Sequence, residues 1–512
     1  MQTIKYLIES LWLRLIFSYL LGAFLFFTLP PFNIIFLSLI SFSGFLFLLL
    51  KAPSKKQAAI MGFLFGMGYF MVGLYWINNA LLLDSTFYWL TLPTIFLLPA
   101  YLSIYISIPA LLTWAVRSYN IYLTYFTWAA TLTIGEVLRG VFLSGFPWNP
   151  FGLIFSSSLE LLQSASVFGV YGLSFFLILF SSSLLLLFSH PKHIKFFTFI
   201  VGLFLCIWGY GYYRTTKNPT KTTPNSLALV QPNIPQHPFF SNEQKRKNLR
   251  KIVNLTLPLK ASKPNIIVWP ESAVPFAFNH IPSLETYLKN ILSPQSLLIF
   301  GTMRLDRDHP KARIFNTLYV LSRENGIEGF YDKNHLLPFG EYVPFSDLVE
   351  KFFPIKAMTG GGMNFSSGKE IKEFFLPFSL PGFIPSICYE AIFPKYYTNA
   401  KVCPRWIINI TNDAWFGQST GPYQHFQMSR LRAIETGLPV VRVATTGISG
   451  VIDSYGRILS TCALNKKCII STYLPKSIES PTLFSIYGHW LIFFFLITIW
   501  LLLFSIYRMK KK

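Results

Sequence analysis

Residues 331–344 have the sequence YDKNHLLPFGEYVP, and this stretch indicates the fold and the chemistry of the chain most specifically. Its lysine, Lys333, comes where a short β-rich run is predicted to end. Two other segments, WPESAVP at 269–275 and SICYE at 386–390, also begin where a strand is predicted to end. The three segments therefore deliver a lysine, a glutamate and a cysteine from the ends of strands.

Short strands and helices alternate on both sides of these segments. The β-rich runs predicted as strands are Leu227–Ile234, Ile266–Trp269, Leu297–Gly301, Thr317–Leu321, Ile384–Tyr389, Trp406–Thr411 and Val440–Thr445. Helices are predicted at Asn242–Leu255 and Tyr423–Thr436, and the triple glycine at 360–362 predicts a mobile loop. Strands that alternate with helices are typical of layered α/β domains, so we predict such a domain at 213–484.

Glu271, Lys333 and Cys388 indicate catalysis only as a set. A cysteine at a strand end is more often a buried apolar residue than a nucleophile, and a lone glutamate or lysine on a loop is usually solvated. A catalytic thiol needs a base to take its proton and a cation to stabilise the thiolate and a tetrahedral oxyanion. Glu271 can supply the base and Lys333 the cation for Cys388. We therefore predict these three residues as catalytic.

The rest of the chain has the composition of a membrane protein. Hydrophobic residues make up 52% and charged residues only 13%, whereas soluble domains average about 25% charged. Apolar runs of spanning length lie at 11–29, 33–50, 57–78, 88–116, 122–139, 161–188, 195–212 and 485–507. We predict an α-helical bundle of eight transmembrane helices, with seven in 1–212 and the eighth, followed by a basic tail, in 485–512. The first run lacks a cleavage site, so we expect an uncleaved helix rather than a signal peptide.

Basic residues in the short loops predict the orientation of these helices. If the spans alternate, one side of the membrane receives Lys51, Lys55, Lys56, Arg117, Lys192, Lys195, Arg508 and Lys510 to Lys512. That side is expected to be cytoplasmic, because short cytoplasmic loops are enriched in lysine and arginine. The domain at 213–484 is then predicted on the opposite, outer face.

The net charge of +22 does not indicate nucleic-acid binding. The lysines and arginines are scattered rather than gathered into one basic stripe, and a location beside anionic lipid explains them better. Cysteines stand at 206, 388, 403, 462 and 468 without a CxxC pair, so we predict no metal site and no cofactor. Cys462 and Cys468 could form a disulfide in an oxidising compartment, but their spacing leaves the question open.

The chain order of Glu271, Lys333 and Cys388, with their flanking patterns, resembles the nitrilase superfamily. That resemblance implies an α-β-β-α sandwich with a Glu-Lys-Cys triad. Insertion of such a domain between the seventh and eighth spans resembles one branch, the apolipoprotein N-acyltransferase family. Further segments that resemble this family are EVLRG at 136–140, GFPW at 145–148, VQPNIPQ at 230–236, TNDAWFG at 411–417 and RVATTGIS at 442–449.

The resemblance implies a two-step acyl transfer in a bacterial inner membrane, with the catalytic domain on the periplasmic face. Cys388 would take a fatty acyl chain from a membrane phospholipid as a thioester. The chain would then pass to the α-amino group of the diacylglyceryl-cysteine of an apolipoprotein. The expected partners are therefore a phospholipid, a diacylated apolipoprotein and the membrane.

The family pattern also implies roles for supporting residues. Glu341 matches a second carboxylate that holds Lys333 in place. Tyr389 and Glu390 match residues that shape the pocket of the nucleophile, and the Tyr389 N–H is a candidate oxyanion donor. Phe240 falls at a lid position where the family usually has tryptophan, and Trp415 belongs to the same substrate-binding set.

Three alternatives stay open from the sequence. The same triad would serve a membrane-tethered amidase or hydrolase that passes its acyl group to water. The outer domain could instead be an inactive binding module on a membrane scaffold, although the triad residues and Glu341 are all present. Within the enzyme reading, His335 or His425 could pair with Cys388, but a structural hydrogen-bonding role is favoured for both.

Overall fold

The computed structural model describes residues 10–188, 193–237, 239–307, 312–346, 357–359, 362–369, 373–398 and 405–509. The chain divides into two compact units. The helical unit is formed by Met1–Pro219 and Thr482–Lys512, and the α/β unit by Thr220–Pro481. Several residues named above lie outside the described residues: Lys192, Gly360, Gly361, Cys403 and Lys510 to Lys512.

The longer helices are numbered here in chain order. They are α1 Leu11–Phe26, α2 Phe36–Leu50, α3 Lys55–Gly73, α4 Thr91–Val116, α5 Ile121–Arg139, α6 Ala165–Ser183, α7 Ile194–Lys217, α8 Asn242–Thr256, α9 Pro282–Lys289, α10 Gly421–Thr436 and α11 Trp490–Met509. Shorter α-helical turns lie at Asn78–Leu81, Leu159–Leu162, Leu259–Ser262 and Leu483–Tyr487. Helices α1 to α7 and α11 coincide with the eight apolar runs of the sequence.

The helices differ in whether their length and composition alone suffice to cross a membrane. Among the described residues, Ser85–Val116, Ala165–Phe188 and Ile194–Lys217 are long and apolar enough, which makes 3 candidate spans. The helices Lys55–Gly73 and Tyr75–Leu81, bent by 45° at their junction, would raise the number to 4 if they form one span. Helices α1 and α2 are apolar but shorter. The helical unit therefore has three to four candidate spans, and the count of eight stays a prediction.

A buried ion pair at the end of α5 shapes the connection to α6. Arg139 donates from Nη1 to the carbonyl oxygens of Phe146 and Trp148, each at 2.7 Å. It also contacts Glu136 at 3.3 Å, and Glu136 accepts the Phe151 N–H at 2.7 Å. The polar residues that the sequence places near a helix end thus satisfy the backbone of a non-helical segment, as buried backbone groups require.

The α/β unit contains twelve strands among its described residues. They are β1 Thr222–Gln231, β2 Ile266–Val268, β3 Val274–Ala277, β4 Leu297–Asp306, β5 Arg313–Ser322, β6 Gly326–Asp332, β7 Phe383–Ile387, β8 Trp406–Thr411, β9 Val440–Ala444, β10 Ser449–Ile452, β11 Ile458–Cys462 and β12 Cys468–Pro475. One sheet has the order β12-β1-β2-β4-β5-β6, with β3 beside β4, and the other has the order β11-β10-β9-β8-β7.

The two sheets pack face to face with helices on their outer sides. Leu229 and Ile299 of the first sheet share a buried cluster with Ile387 and Ile408 of the second. Alternate residues of the first sheet, such as Ala228, face the other way and pack against α8 and α9. Helix α10 covers the outer face of the second sheet. The unit is therefore the α-β-β-α sandwich that the sequence resemblance implies.

The structure corrects the bounds of several predicted strands: β4 extends to Asp306, β5 begins at Arg313, and β1 and β7 end earlier than predicted. Strand β1 ends at Gln231 rather than Ile234, because Pro232 has no N–H to continue the ladder. Strand β7 ends at Ile387 rather than Tyr389, because Cys388 leaves the extended conformation with φ of 51°. The prediction also missed strands β3, β10, β11 and β12 and helix α9, and it expected a strand before Lys333 without giving the bounds of β6. Cys462 and Cys468, on β11 and β12, are joined by a disulfide.

Candidate active site

Glu271, Lys333 and Cys388 each follow the end of a strand in the α/β unit. Strand β2 ends two residues before Pro270-Glu271, β6 ends at the residue before Lys333, and β7 ends at the residue before Cys388. Gly301 on β4 lets the Glu271 turn approach, since a Cβ there would lie 2.6 Å from the Glu271 Cα. The Gly301 N–H also donates to the Pro270 carbonyl at 3.1 Å. Backbone geometry thus brings the glutamate close to the sheet.

Cys388 lies at a sharp change of backbone direction. Its φ of 51° is in the left-handed region, which is uncommon for a residue with a side chain. The chain turns there from β7 into a short 3-10 helix, Cys388–Ile392. Glu390 stabilises this turn by accepting the Ile387 N–H at 2.7 Å through Oε2. The thiol is therefore carried on a conformation that its neighbours must hold in place.

Glu271 is a buried carboxylate with donors on both oxygens. Oε1 accepts from the Asn316 amide at 2.7 Å, and Oε2 accepts from the backbone N–H of Asn412 at 2.7 Å. Burial raises the pKa of Glu271 above its ordinary value, while the Lys333 ammonium acts to lower it. A carboxylate with a raised pKa is a better proton acceptor, which suits a general base.

Lys333 is buried and paired with a second carboxylate. Its Nζ lies 2.9 Å from Oε1 and 2.8 Å from Oε2 of Glu341. Burial lowers the pKa of Lys333, but Glu341 and Glu271 more than offset this effect, so its pKa lies above the ordinary value. The Leu337 N–H donates to Glu341 Oε2 at 2.8 Å. Lys333 is thus a fixed cation in the position that the sequence predicts for it.

Asn316 joins the two carboxylates and was not predicted from the sequence. Its Nδ2 donates to Glu271 at 2.7 Å and to Glu341 at 2.9 Å. Its carbonyl accepts the Lys333 N–H at 2.8 Å. A polar residue inside the apolar run of β5 was the available signal, since buried amides in strands need partners.

Cys388 interacts electrostatically with the other two candidate residues. Burial raises the pKa of its thiol, and the Glu271 carboxylate raises it further, while Lys333 lowers it. The half-buried thiol is therefore protonated until a base accepts its hydrogen. This is the state in which a neighbouring carboxylate and ammonium are needed for nucleophilic attack. The structure brings the three predicted residues together within one unit.

Glu390 connects the loop of Lys333 to the turn of Cys388. Its Oε1 accepts from the Tyr331 hydroxyl at 2.7 Å and from the N–H groups of Asn334 and His335 at 2.8 and 3.0 Å. Burial raises the pKa of Glu390, against the lowering effect of the N–H groups that donate to it. The neighbouring Tyr389 is buried, and its ring lies 5.0 Å from that of Phe393. Glu390 therefore holds two parts of the candidate site in register.

The remaining sequence candidates have contacts of their own. The Phe240 ring is 5.6 Å from the ring of His237. Trp415 is half-buried in the short 3-10 turn Asp413–Phe416. His335 packs against Phe393 at 4.1 Å between ring centroids. Substrate-binding roles for Phe240 and Trp415 stay predictions.

His425 contacts the backbone of Cys388. Its Nε2 lies 3.1 Å from the Cys388 carbonyl oxygen, and its Nδ1 lies 2.8 Å from Asp413. This contact agrees with the structural role that the sequence favoured over a Cys-His pair. Among the described residues, no group of three or more His, Cys, Asp and Glu side chains is arranged to hold a metal ion.

The fold and this set of residues define the class of protein. Residues 226–480 match the family model described as Carbon-nitrogen hydrolase. The α/β unit is therefore a nitrilase-like domain. Among solved structures, the chain is similar to an amidase from Nesterenkonia sp., with 15% identity, a TM-score of 0.35 and coverage of 50% of this chain and 92% of that chain.

The helical unit and full-length relatives identify the family within this class. Residues 21–184 match the family model described as Apolipoprotein N-acyltransferase N-terminal domain. An apolipoprotein N-acyltransferase from Rhodopseudomonas palustris is 36% identical over 502 residues, which cover 93% of this chain and 92% of that protein. One from Rickettsia prowazekii is 35% identical over 466 residues, covering 88% and 90%. The chain belongs to the apolipoprotein N-acyltransferase family, which confirms the predicted acyltransferase.

Proposed function

We propose that this membrane-associated acyltransferase moves a fatty acyl chain from a phospholipid to an apolipoprotein through a thioester on Cys388. The acceptor is the α-amino group of a diacylglyceryl-cysteine, and the product is a triacylated lipoprotein. The observation that carries the proposal is the buried cluster in which Asn316 and Glu341 link Glu271 to Lys333, and in which both charges act on the Cys388 thiol. Relatives with the same family name over nine-tenths of the chain support the choice of acceptor.

The first half-reaction forms the acyl-enzyme. Glu271 accepts the thiol proton as Cys388 Sγ attacks the ester carbonyl of the phospholipid. The ammonium of Lys333 and the N–H of Tyr389 stabilise the oxyanion of the tetrahedral intermediate. The carbon–oxygen bond of the ester then breaks, and Glu271 returns its proton to the departing alkoxide. The products are a thioester and a lysophospholipid.

The second half-reaction transfers the chain to nitrogen. The neutral amine attacks the thioester carbonyl and passes a proton to Glu271. The carbon–sulfur bond then breaks, and the Cys388 thiolate recovers the proton from Glu271. Glu341 keeps Lys333 charged and in place during both halves, because it contacts the ammonium with both oxygens.

We also propose that the chain crosses the bacterial inner membrane eight times, with the α/β unit on the periplasmic face. The alternation of basic loops supports this orientation. The disulfide between Cys462 and Cys468 supports it too, because disulfides persist in oxidising compartments. A cysteine at position 260, introduced into a protein without Cys206, Cys388 and Cys403, should react with an impermeant maleimide added outside intact spheroplasts. Labelling only after lysis would contradict this topology.

The acceptor distinguishes the proposed transferase from a hydrolase with the same triad. Purified protein is incubated with phospholipid and a diacylglyceryl-cysteine peptide, and both N-acylated peptide and free fatty acid are measured. We expect the peptide to take most of the released chains. Release to water alone would favour the hydrolase, and no turnover of lipid would favour the inactive scaffold. A peptide with an acetylated α-amino group is the matched control and should take none.

A further inference from the structure

His425 lies behind the backbone of Cys388 and has no part in the chemical steps above. Its side chain is fully buried on α10, and its Nε2 lies 3.1 Å from the Cys388 carbonyl oxygen. A carbonyl oxygen only accepts hydrogen bonds, so Nε2 carries the hydrogen of this contact and donates it. The histidine therefore acts on the peptide group of the nucleophile rather than on its sulfur.

A charged pair fixes the other side of the imidazole. Nδ1 lies 2.8 Å from Asp413 Oδ1 and 3.1 Å from Arg442 Nη2, and Arg442 contacts Asp413 Oδ2 at 2.7 Å. Burial and the Arg442 guanidinium lower the pKa of His425, whereas the Asp413 carboxylate acts to raise it. The Asp413 carboxylate and the Cys388 carbonyl only accept hydrogen bonds, so each ring nitrogen donates to the acceptor that it faces. The side chain is thus held in one orientation.

The peptide group between Cys388 and Tyr389 connects this contact to the reaction. A trans peptide is planar, so its N–H points away from its C=O. A contact that fixes the Cys388 carbonyl toward His425 therefore fixes the Tyr389 N–H toward the opposite side. Because Cys388 has φ of 51°, the turn needs outside contacts to maintain its conformation.

We infer that His425 is a positioning residue that aims the Tyr389 N–H at the oxyanion of the acyl intermediate. The inference rests on the proposed acyl-enzyme. Without the contact the peptide plane can rotate, whereas Glu271 and Lys333 still activate the thiol. Removing an oxyanion donor outright costs about 10²–10³ in rate, so misdirecting one should slow acylation by about 10- to 10²-fold.

Two substitutions of His425 test the contacts of its two ring nitrogens separately. The longer amide of His425→Gln can still donate to the Cys388 carbonyl, whereas the shorter amide of His425→Asn reaches only toward Asp413. His280→Asn, at an exposed histidine, is the matched control. For each full-length variant, the rate at which iodoacetamide alkylates Cys388 is measured. This reaction needs a thiolate but forms no oxyanion. The rate of Cys388 acylation by a phospholipid and by a p-nitrophenyl ester is also measured. These reactions need a thiolate and also form an oxyanion.

Selective loss of acylation is the expected result. His425→Asn should be alkylated within about twofold of the wild-type rate but acylated about 10- to 10²-fold more slowly, with KM for the ester unchanged. His425→Gln should recover most of the acylation rate. Equal losses in both reactions, or wild-type acylation by His425→Asn, would overturn the inference.

Two further outcomes keep the inference separate from folding and from the proposed function. If His425→Asn does not fold, His425→Gln decides alone, because normal alkylation with acylation about tenfold below wild type would contradict the inference. If the wild-type protein is acylated by the p-nitrophenyl ester but not by phospholipid, the proposed donor is wrong. The effect of His425 is still measured by the ester in that case.

Discussion

Two buried clusters of charged side chains approach Cys388, and they differ in how their charges are paired. The front cluster consists of Glu271, Lys333 and Glu341, and it interacts with the thiol. The rear cluster consists of Asp413, His425 and Arg442, and it contacts the backbone carbonyl. In the front cluster two carboxylates share one ammonium, and burial raises the pKa of Glu271.

In the rear cluster one carboxylate, that of Asp413, is paired with the guanidinium of Arg442. Burial raises the pKa of Asp413, but Arg442 and His425 outweigh it and hold the pKa below the ordinary value. Arg442 also donates to the Ile448 carbonyl and to Ser429. The front cluster can therefore exchange a proton, whereas the rear cluster keeps a fixed charge. The comparison agrees with our proposal that the front cluster performs the chemistry and the rear cluster holds the nucleophile in place.

The largest effect is expected from Lys333→Met in the front cluster. It removes the ammonium that faces two buried carboxylates, and it leaves the oxyanion without its charged partner. Single-turnover acylation of Cys388 should fall by about 10⁴-fold. Lys260→Met, at an exposed lysine, is the control and should keep the wild-type rate. An acylation rate within about tenfold of wild type in Lys333→Met would show that the front cluster is not catalytic.

Arg442→Met, in the rear cluster, should lower the stability of the fold. It leaves Asp413 buried without its cation, which typically costs about 3–5 kcal/mol. Thermal unfolding in detergent measures the loss. Because the pKa of Asp413 is lower in the folded state than in the unfolded state, its ionisation stabilises the fold at pH values above the unfolded pKa. This stabilisation is lost as the pH falls through the folded pKa. The difference in unfolding free energy between wild type and Arg442→Met should therefore shrink in acid.

Exposed Arg250 on α8 offers the control for this prediction. Arg250→Met should change the free energy of unfolding by no more than about 0.5 kcal/mol. A deficit in Arg442→Met that stays constant from neutral pH to acid would mean that the unpaired carboxylate is not its cause.

Glu271→Gln tests whether the front cluster exchanges a proton. Because burial raises the pKa of Glu271, the wild-type acylation rate should rise with pH through a midpoint above the ordinary glutamate value of about 4.3. The variant should acylate about 10²-fold more slowly, and this limb of its pH profile should be absent. Retention of the same limb in the variant would assign the titration to another group.

The smallest effect is expected from Asn316→Leu. The Asn316 amide donates to Glu271 and so lowers its pKa, although burial dominates. Its loss should move the midpoint of the pH profile upward, slow acylation about tenfold on the acidic limb, and restore the rate at higher pH. A uniform loss at every pH would indicate a packing defect instead. Asn325→Leu, at an exposed asparagine, should leave the profile unchanged.

Sequence patterns located the front cluster better than the rear one. Glu271, Lys333 and Cys388 were predictable because each stands in a distinctive segment at a strand end. Asn316 was not found in this way, since an amide in an apolar strand indicates that it needs a buried partner but not which one. For His425 the sequence favoured a structural hydrogen-bonding role over a pairing with the thiol, but it did not indicate the partner. Its backbone contact depends on how α10 packs on the second sheet.

Some elements that the sequence missed or could not delimit are short, and others lack the apolar alternation that identifies a strand. Strand β10 has four residues, β6 contains two glycines and a glutamate, and β11 is largely exposed. The prediction of eight membrane spans rests on apolar runs, and the helices that form in these runs differ in length. Helices α1 and α2 have 16 and 15 residues, which is shorter than the roughly 20 that span a bilayer core.

The acyl-enzyme itself is the most direct test of the central claim. Purified full-length protein is incubated with a phospholipid of defined chain length, without acceptor, and its intact mass is measured before and after hydroxylamine. We predict a gain of one acyl chain that maps to Cys388, is removed by hydroxylamine, and is absent from Cys388→Ala. An adduct on another residue, or N-acylation of peptide by Cys388→Ala, would contradict the account.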